Sequence, residues 1–206
     1  MSDETEAGSG PVYDAERDLE QRLSLATPEY TTRGFLFTAT LGTVRELGGD
    51  EAMVQLCLDA CGEKNFVEFF NYPTSTLLRL LITAARVLSP RYGSFEEALR
   101  RIGWKAGESY MASPVGRSAQ LLAGMDPKQL VTTLQALYKV VMSYAEPSVV
   151  WTGQKSGILV VQRTFTPLPY HEAGALAIAE RLGLKNVKVR ARNTGALSME
   201  MDVSWD

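Results

Sequence analysis

The sequence predicts an α+β fold, with an N-terminal helical half of about five or six helices packed on a C-terminal four-stranded antiparallel sheet of ββαββ order. Three observations predict it. Apolar residues recur at helical spacing from Thr32 to Tyr144. At Pro147 the apolar period falls from about 3.6 residues to about 2. One more helical segment then separates two pairs of alternating segments. Of the 206 residues 45% are hydrophobic, enough to enclose a sizeable core. The expected organisation is a flexible acidic tail over residues 1–30 and one α+β domain over 31–206, whose helical half ends at 146.

The helices carry their own start and stop signals. "RGFLFTATLGTVRELGG" places Phe35, Leu36, Ala39, Leu41, Val44 and Leu47 at helical spacing before a Gly-Gly stop. "DEAMVQLCLDACG" starts on Asp50 as N-cap and stops at Gly62. "YPTSTLLRLLITAARVLSP" has Pro73 in the first turn and is expected to stop before Pro90. It is apolar on nearly every side and should lie at the centre of the helical half. "SFEEALRRIGWKAGESYMA" opens with Ser94 and Glu97 at capping-box spacing. "SPVGRSAQLLAG" is a shorter helix, and "DPKQLVTTLQALYKVVMSY" has Asp126 as N-cap with Pro127 just inside. A short helix is also expected within the leader, from Asp14 to Leu25.

"SVVWTG" and "GILVVQRTFTP" read as a hairpin, followed by a helix from about Tyr170 to Leu182. "NVKVRARN" puts Val187, Val189 and Ala191 on one face and Lys188, Arg190 and Arg192 on the other. "SMEMDVSW" puts Met199, Met201, Val203 and Trp205 opposite Glu200, Asp202 and Ser204. Matching the faces requires paired residue numbers with an even sum. A three-residue loop Thr194-Gly195-Ala196 would then pair Arg190 with Glu200 and Lys188 with Asp202.

The net charge of −3 offers no electrostatic case for nucleic acid. Residues 1–22 alone carry −5. The leader lacks a basic start followed by an apolar run, so no signal peptide is expected, and no apolar stretch is long enough for a membrane span. Cys57 and Cys61 are expected as reduced thiols of a cytoplasmic protein.

The chain's one histidine, His171, is followed by Glu172, but His171-Glu172-Ala173-Gly174-Ala175 lacks the second imidazole of a zinc-protease helix. No serine is marked as a nucleophile for it. Beside the catalytic reading stands a structural one: a helix-start residue, with Glu172 favoured by the positive end of the helix dipole. Phe66, Phe69, Phe70 and Tyr72 either line an apolar ligand pocket with Leu77 and Leu81 or fill the core between two helices. Arg79 and Arg86 share a polar stripe and need partners: internal carboxylates, a ligand's anionic head or another protein. Cys57 and Cys61 lie on one helical face, as small apolar core residues, a soft-metal pair or an acylated thiol. No glycine loop able to cradle phosphate is present, and no metal site or cofactor is expected.

"RGFLFTATLGTVRELGG", "FVEFFNYP", "LLRLLITAARVLSPRYGSFEEALRRIGWKAGESY" and "LGLKNVKVRARNTGALSMEMDVSW" resemble a myxobacterial paralogous family catalogued as a domain of unknown function, over Thr31 to Trp205. The order of elements is also similar to the superfamily that joins haem–nitric-oxide sensor domains, vinyl-reductase-like ligand domains and the Bet3-like subunits of the TRAPP tethering complex. That resemblance implies an apolar cavity between helices and sheet, or dimerisation through helices. Haem would require a proximal histidine in the helical half, which has none, and a Y-x-S-x-R signature, which is absent near "YMASPVGR". A Bet3-like acylation would use Cys57 or Cys61.

The function expected from these features is a non-enzymatic cytoplasmic adaptor or sensor. It would bind a partner protein, with a small apolar or amphipathic ligand in a pocket near Phe66, Phe70, Leu77 and Leu81; homodimerisation is left open. The alternative is an enzyme built on His171, Glu172 and Tyr170.

Overall fold

The computed structural model describes residues 13–123 and 128–206. In chain order the elements are α1 (Ala15–Leu25), β1 (Thr31–Arg33), α2 (Gly34–Gly48), α3 (Glu51–Cys61), β2 (Asn71–Pro73), α4 (Thr74–Tyr92), α5 (Phe95–Ala112), α6 (Pro114–Ala123), α7 (Gln129–Val141), β3 (Glu146–Gly153), β4 (Ser156–Gln162), α8 (Leu168–Arg181), β5 (Lys188–Gly195) and β6 (Ser198–Ser204). The class is α+β as expected: a helical half precedes a four-stranded antiparallel sheet of spatial order β3-β4-β6-β5, with α8 inserted between β4 and β5. Asp126 and Pro127, expected at the start of α7, lie outside the described residues.

α4 is the central helix. Leu77, Leu78, Leu80, Leu81, Ala84, Ala85 and Leu88 are all fully buried, as its all-round apolar pattern requires. The helix does not stop before Pro90 but runs on to Tyr92 and closes on Gly93 in the left-handed region. Pro90 removes the backbone donor that Arg86 would otherwise use, and the Ser89 hydroxyl donates to that carbonyl at 3.0 Å instead. At the start of α5 the Ser94 hydroxyl accepts from Glu97 N–H at 3.0 Å, while the Glu97 carboxylate pairs with Arg101. A two-stranded ribbon, β1 with β2, has no counterpart in the sequence pattern; three residues per strand are too few to show a period.

The leader contributes to the fold. Asp14 caps α1 by accepting from Glu16 and Arg17 N–H, and α1 buries Leu19 and Arg22. Glu16 and Glu20 on its exposed side both accept from Arg86 of α4, at 2.6 and 2.8 Å. Those are the carboxylates that Arg86 needed. The stretch from Ala15 therefore packs on the domain and is not a free tail.

In the sheet, Leu159, Val161, Met199, Met201 and Val203 face inward and are buried under α7 and α8. The parity of the β5–β6 pairing is as expected, but its offset is not. Arg190 pairs with Asp202, Arg192 with Glu200 and Lys188 with Ser204. A shift between Asn193 and Gly195 carries β5 to Gly195 opposite Ser198, so the hairpin turns on Ala196-Leu197 and the anticipated three-residue loop does not form. Arg192 reaches both Glu200 and Asp202 across the outer face.

Candidate functional site

The two halves meet where α5 crosses α8. Gly103 and Gly107 lie one turn apart on α5, and both face α8. A Cβ on Gly103 would sit 2.2 Å from the Tyr170 carbonyl oxygen, and one on Gly107 2.5 Å from that of Gly174. Only hydrogen fits at those positions, so the helix backbones touch. Beside the crossing lies an apolar cavity of about 40 Å³, bounded by α2, α5, α7 and α8, with Leu36, Ala106, Leu134, Val141 and Ile178 among its walls. That volume holds about three or four water-sized spheres, at about 10–15 Å³ each.

His171 and Tyr170 reach this cavity from the first turn of α8. Tyr138 of α7 lies 2.5 Å from His171 Nδ1. On the other side Nε2 is 3.1 Å from the Thr166 carbonyl, 2.7 Å from the Thr166 hydroxyl and 3.0 Å from the Thr164 hydroxyl. A carbonyl can only accept, so Nε2 carries the proton and Nδ1 accepts from the Tyr138 hydroxyl. Burial, with the charge of Arg22 second, pushes the imidazole down to about 3. His171 is thus a neutral cross-link between α7, α8 and the segment after β4. Arg22 completes this network: it donates to the Thr164 carbonyl at 2.7 Å and to Asn193 at 2.9 Å, and pairs with Asp18 at 2.9 Å.

Glu172 is also engaged. It accepts from Arg100 at 2.8 Å and from the Ala191 N–H at 2.9 Å, which ties α8 to α5 and to β5. Tyr170 differs. Its hydroxyl is buried with no hydrogen-bond partner among the described residues. Desolvation holds its pKa far above the ordinary phenol value.

The residues singled out from the sequence for a pocket lie elsewhere. Phe66 stacks on Phe37 at 4.4 Å and is buried with Leu77 and Leu81 in the core. Phe69 and Phe70 are exposed, ring edge to ring face. None of them lines the cavity. Arg79 is exposed, with its charge near the Cys61 thiol. Burial pushes the Cys57 thiol up to about 12 and the Cys61 thiol up to about 11, so both are protonated at neutral pH. Cys61 is half-buried and contacts the Thr76 carbonyl at 3.6 Å. No cluster of three or more potential metal ligands occurs among the described residues, and none of their helices is long and apolar enough to cross a membrane.

Sequence reasoning missed Tyr138, Thr164, Thr166, Arg22 and the two glycines. Only the glycines left a signal, a four-residue spacing on one face of a strong amphipathic helix.

The fold is similar to that of H-NOX proteins. An H-NOX protein from S. oneidensis in the Fe(II)NO ligation state superposes with a TM-score of 0.62 at 13% identity, covering 84% of this chain and 99% of that one. The Fe(II) unliganded H-NOX protein from K. algicida gives 0.56 at 14% identity, over 84% and 96%. An oxygen-binding H-NOX domain related to soluble guanylate cyclases, in its oxygen complex, gives 0.61 at 11% identity, over 84% and 95%. At such identities the likeness is one of fold. In sequence, the chain belongs to the family described as "Protein of unknown function (DUF2378)", which matches residues 25–206. No curated protein matches it in sequence.

A haem, which the H-NOX fold implies, does not fit these residues. The cavity holds about 40 Å³, and the α5 and α8 backbones touch at its edge. The single histidine has both ring nitrogens engaged.

Proposed function

We propose that this chain is a non-enzymatic cytoplasmic sensor or adaptor that binds a partner protein and is regulated by a small apolar ligand at the seam between its halves. The observation that carries this reading is the apolar cavity beside the α5–α8 crossing. A molecule seated there touches both halves at once, so its binding free energy can bias their relative packing. The absence of catalysis is part of the proposal. It is supported by His171 and Glu172, whose polar atoms are bonded within the fold and leave no free base beside a nucleophile.

The test is native mass spectrometry of the protein purified from its own cells, paired with recovery of its partner by a tagged chain. A mass increment from a small uncharged molecule is expected, with partner recovery altered by Leu137→Trp, which adds volume at a half-buried cavity wall. Unligated protein in every preparation, with Leu137→Trp recovering the same partner to the same extent, overturns the ligand-regulated reading.

A further inference from the structure

We propose that the cavity between α2, α5, α7 and α8 takes a small uncharged molecule with an apolar body and one hydrogen-bond acceptor, held by the Tyr170 hydroxyl and admitted past the ring of Phe35. This rests on the sensor reading and specifies its ligand class and route. Tyr170 lines the cavity, is 6% exposed, and keeps a buried hydroxyl with no partner among the described residues. The other polar groups nearby are already engaged: Tyr138 donates to His171, and His171 donates to Thr166. A buried O–H without an acceptor carries a desolvation cost that an incoming acceptor relieves. Water is a poor occupant, because a buried water needs two to four polar partners and would find one free donor here. A charged ligand is disfavoured, since no charged side chain among the described residues lines the space to compensate its desolvation. The volume of about 40 Å³ fits a body of roughly three or four heavy atoms.

The route runs past Phe35. It is one of three half-buried residues of the lining, with Leu137 and Gly174, and it also borders a surface groove of about 250 Å³ that runs along α2 past Thr38, Glu46 and Lys105. Phe35 is half-buried, and its N–H is fixed to the Glu68 carbonyl at 2.9 Å. Opening therefore needs a side-chain rotation and leaves the α2 backbone in place.

The probes are acetone and its apolar isostere 2-methylpropene, followed by NMR on the full chain. Both are expected to shift the methyl signals of Leu134 and Ile178 saturably, and acetone alone to move the Tyr170 ring signals. Tyr170→Phe should weaken acetone roughly 2–10-fold and leave 2-methylpropene within about twofold. Phe35→Ala should speed dissociation of both probes by about tenfold or more. Should Tyr170→Phe fail to fold, the wild-type Tyr170 signals decide the role of the hydroxyl. Failure of both probes to bind saturably overturns the site. Acetone affinity indifferent to Tyr170→Phe, or an unmoved Tyr170 ring, overturns the hydroxyl anchor. Unchanged rates in Phe35→Ala overturn the route. If both probes fail while native mass spectrometry finds a larger bound molecule, this ligand class falls and the sensor reading stands. If the probes bind but filling the cavity leaves partner recovery unchanged, the sensor reading falls and this site stands.

Discussion

The His171 imidazole is held at about 3 in the folded chain, against an ordinary value of 6.5. Below about pH 6.5 the unfolded chain therefore takes up a proton that the folded chain refuses. The stabilisation from this group is complete above about pH 6.5 and is lost as pH falls towards 3, by about 1.4 kcal/mol per pH unit. Between about pH 7 and pH 5 the expected loss is about 2 kcal/mol. Urea unfolding of wild type and His171→Gln at both pH values measures it. The variant should be less stable at neutral pH by about 1–3 kcal/mol, because Tyr138 and the threonines lose their shared partner, and its disadvantage should shrink at pH 5. A disadvantage equal at both pH values would show that His171 does not titrate on unfolding as its burial requires. The histidine itself stood out in the sequence because it is the only one. Its role did not, because Tyr138 lies 33 residues away and Thr164 and Thr166 lie in a segment with no period.

At the scale of elements the decisive contact is α5 on α8. Gly103→Ala puts a methyl group 2.2 Å from a backbone oxygen that no rotamer can move, and should cost roughly 2–4 kcal/mol despite alanine's better helix propensity. Gly42→Ala is the control: it lies inside α2 with nothing within 4 Å of the added methyl, and should stabilise by about 0.5–1 kcal/mol. Thermal or urea unfolding of the two variants should give shifts of opposite sign; equal shifts would show that the two helices do not pack backbone to backbone. Periodicity exposed the elements themselves well. The apolar faces of β5 and β6 fixed which side chains point inward, and Met199, Met201 and Val203 are buried accordingly. The same alternation is blind to a slip of two residues, which keeps every face and changes every partner; the irregularity between Asn193 and Gly195 decides that offset. The Gly103–Gly107 spacing could have signalled a close crossing, but no local pattern says which helix crosses.

For the whole molecule the question is how an H-NOX-like fold uses the place between its halves. Here that place is closed by direct contact. Arg22 of α1 reaches across to Thr164 and Asn193, Glu172 joins α5 to β5, and His171 joins α7 to α8. These bonds tie the C-terminal half to the helical half and leave a space for about three or four waters, several times too small for a porphyrin. Admitting one would require parting the α5–α8 backbones and exposing a buried arginine and histidine together, a loss of several interactions that each count for about 1–3 kcal/mol. Haemin added to the purified protein is therefore expected to keep the broad absorption of the free compound at any ratio. A sharp, stoichiometric Soret band, altered in Tyr138→Phe or Tyr170→Phe, would show that the halves part readily and that the seam is a cofactor site after all. A broad spectrum, unchanged in both variants, is expected if the crossing of α5 on α8 has replaced the cofactor as the element that joins the two halves.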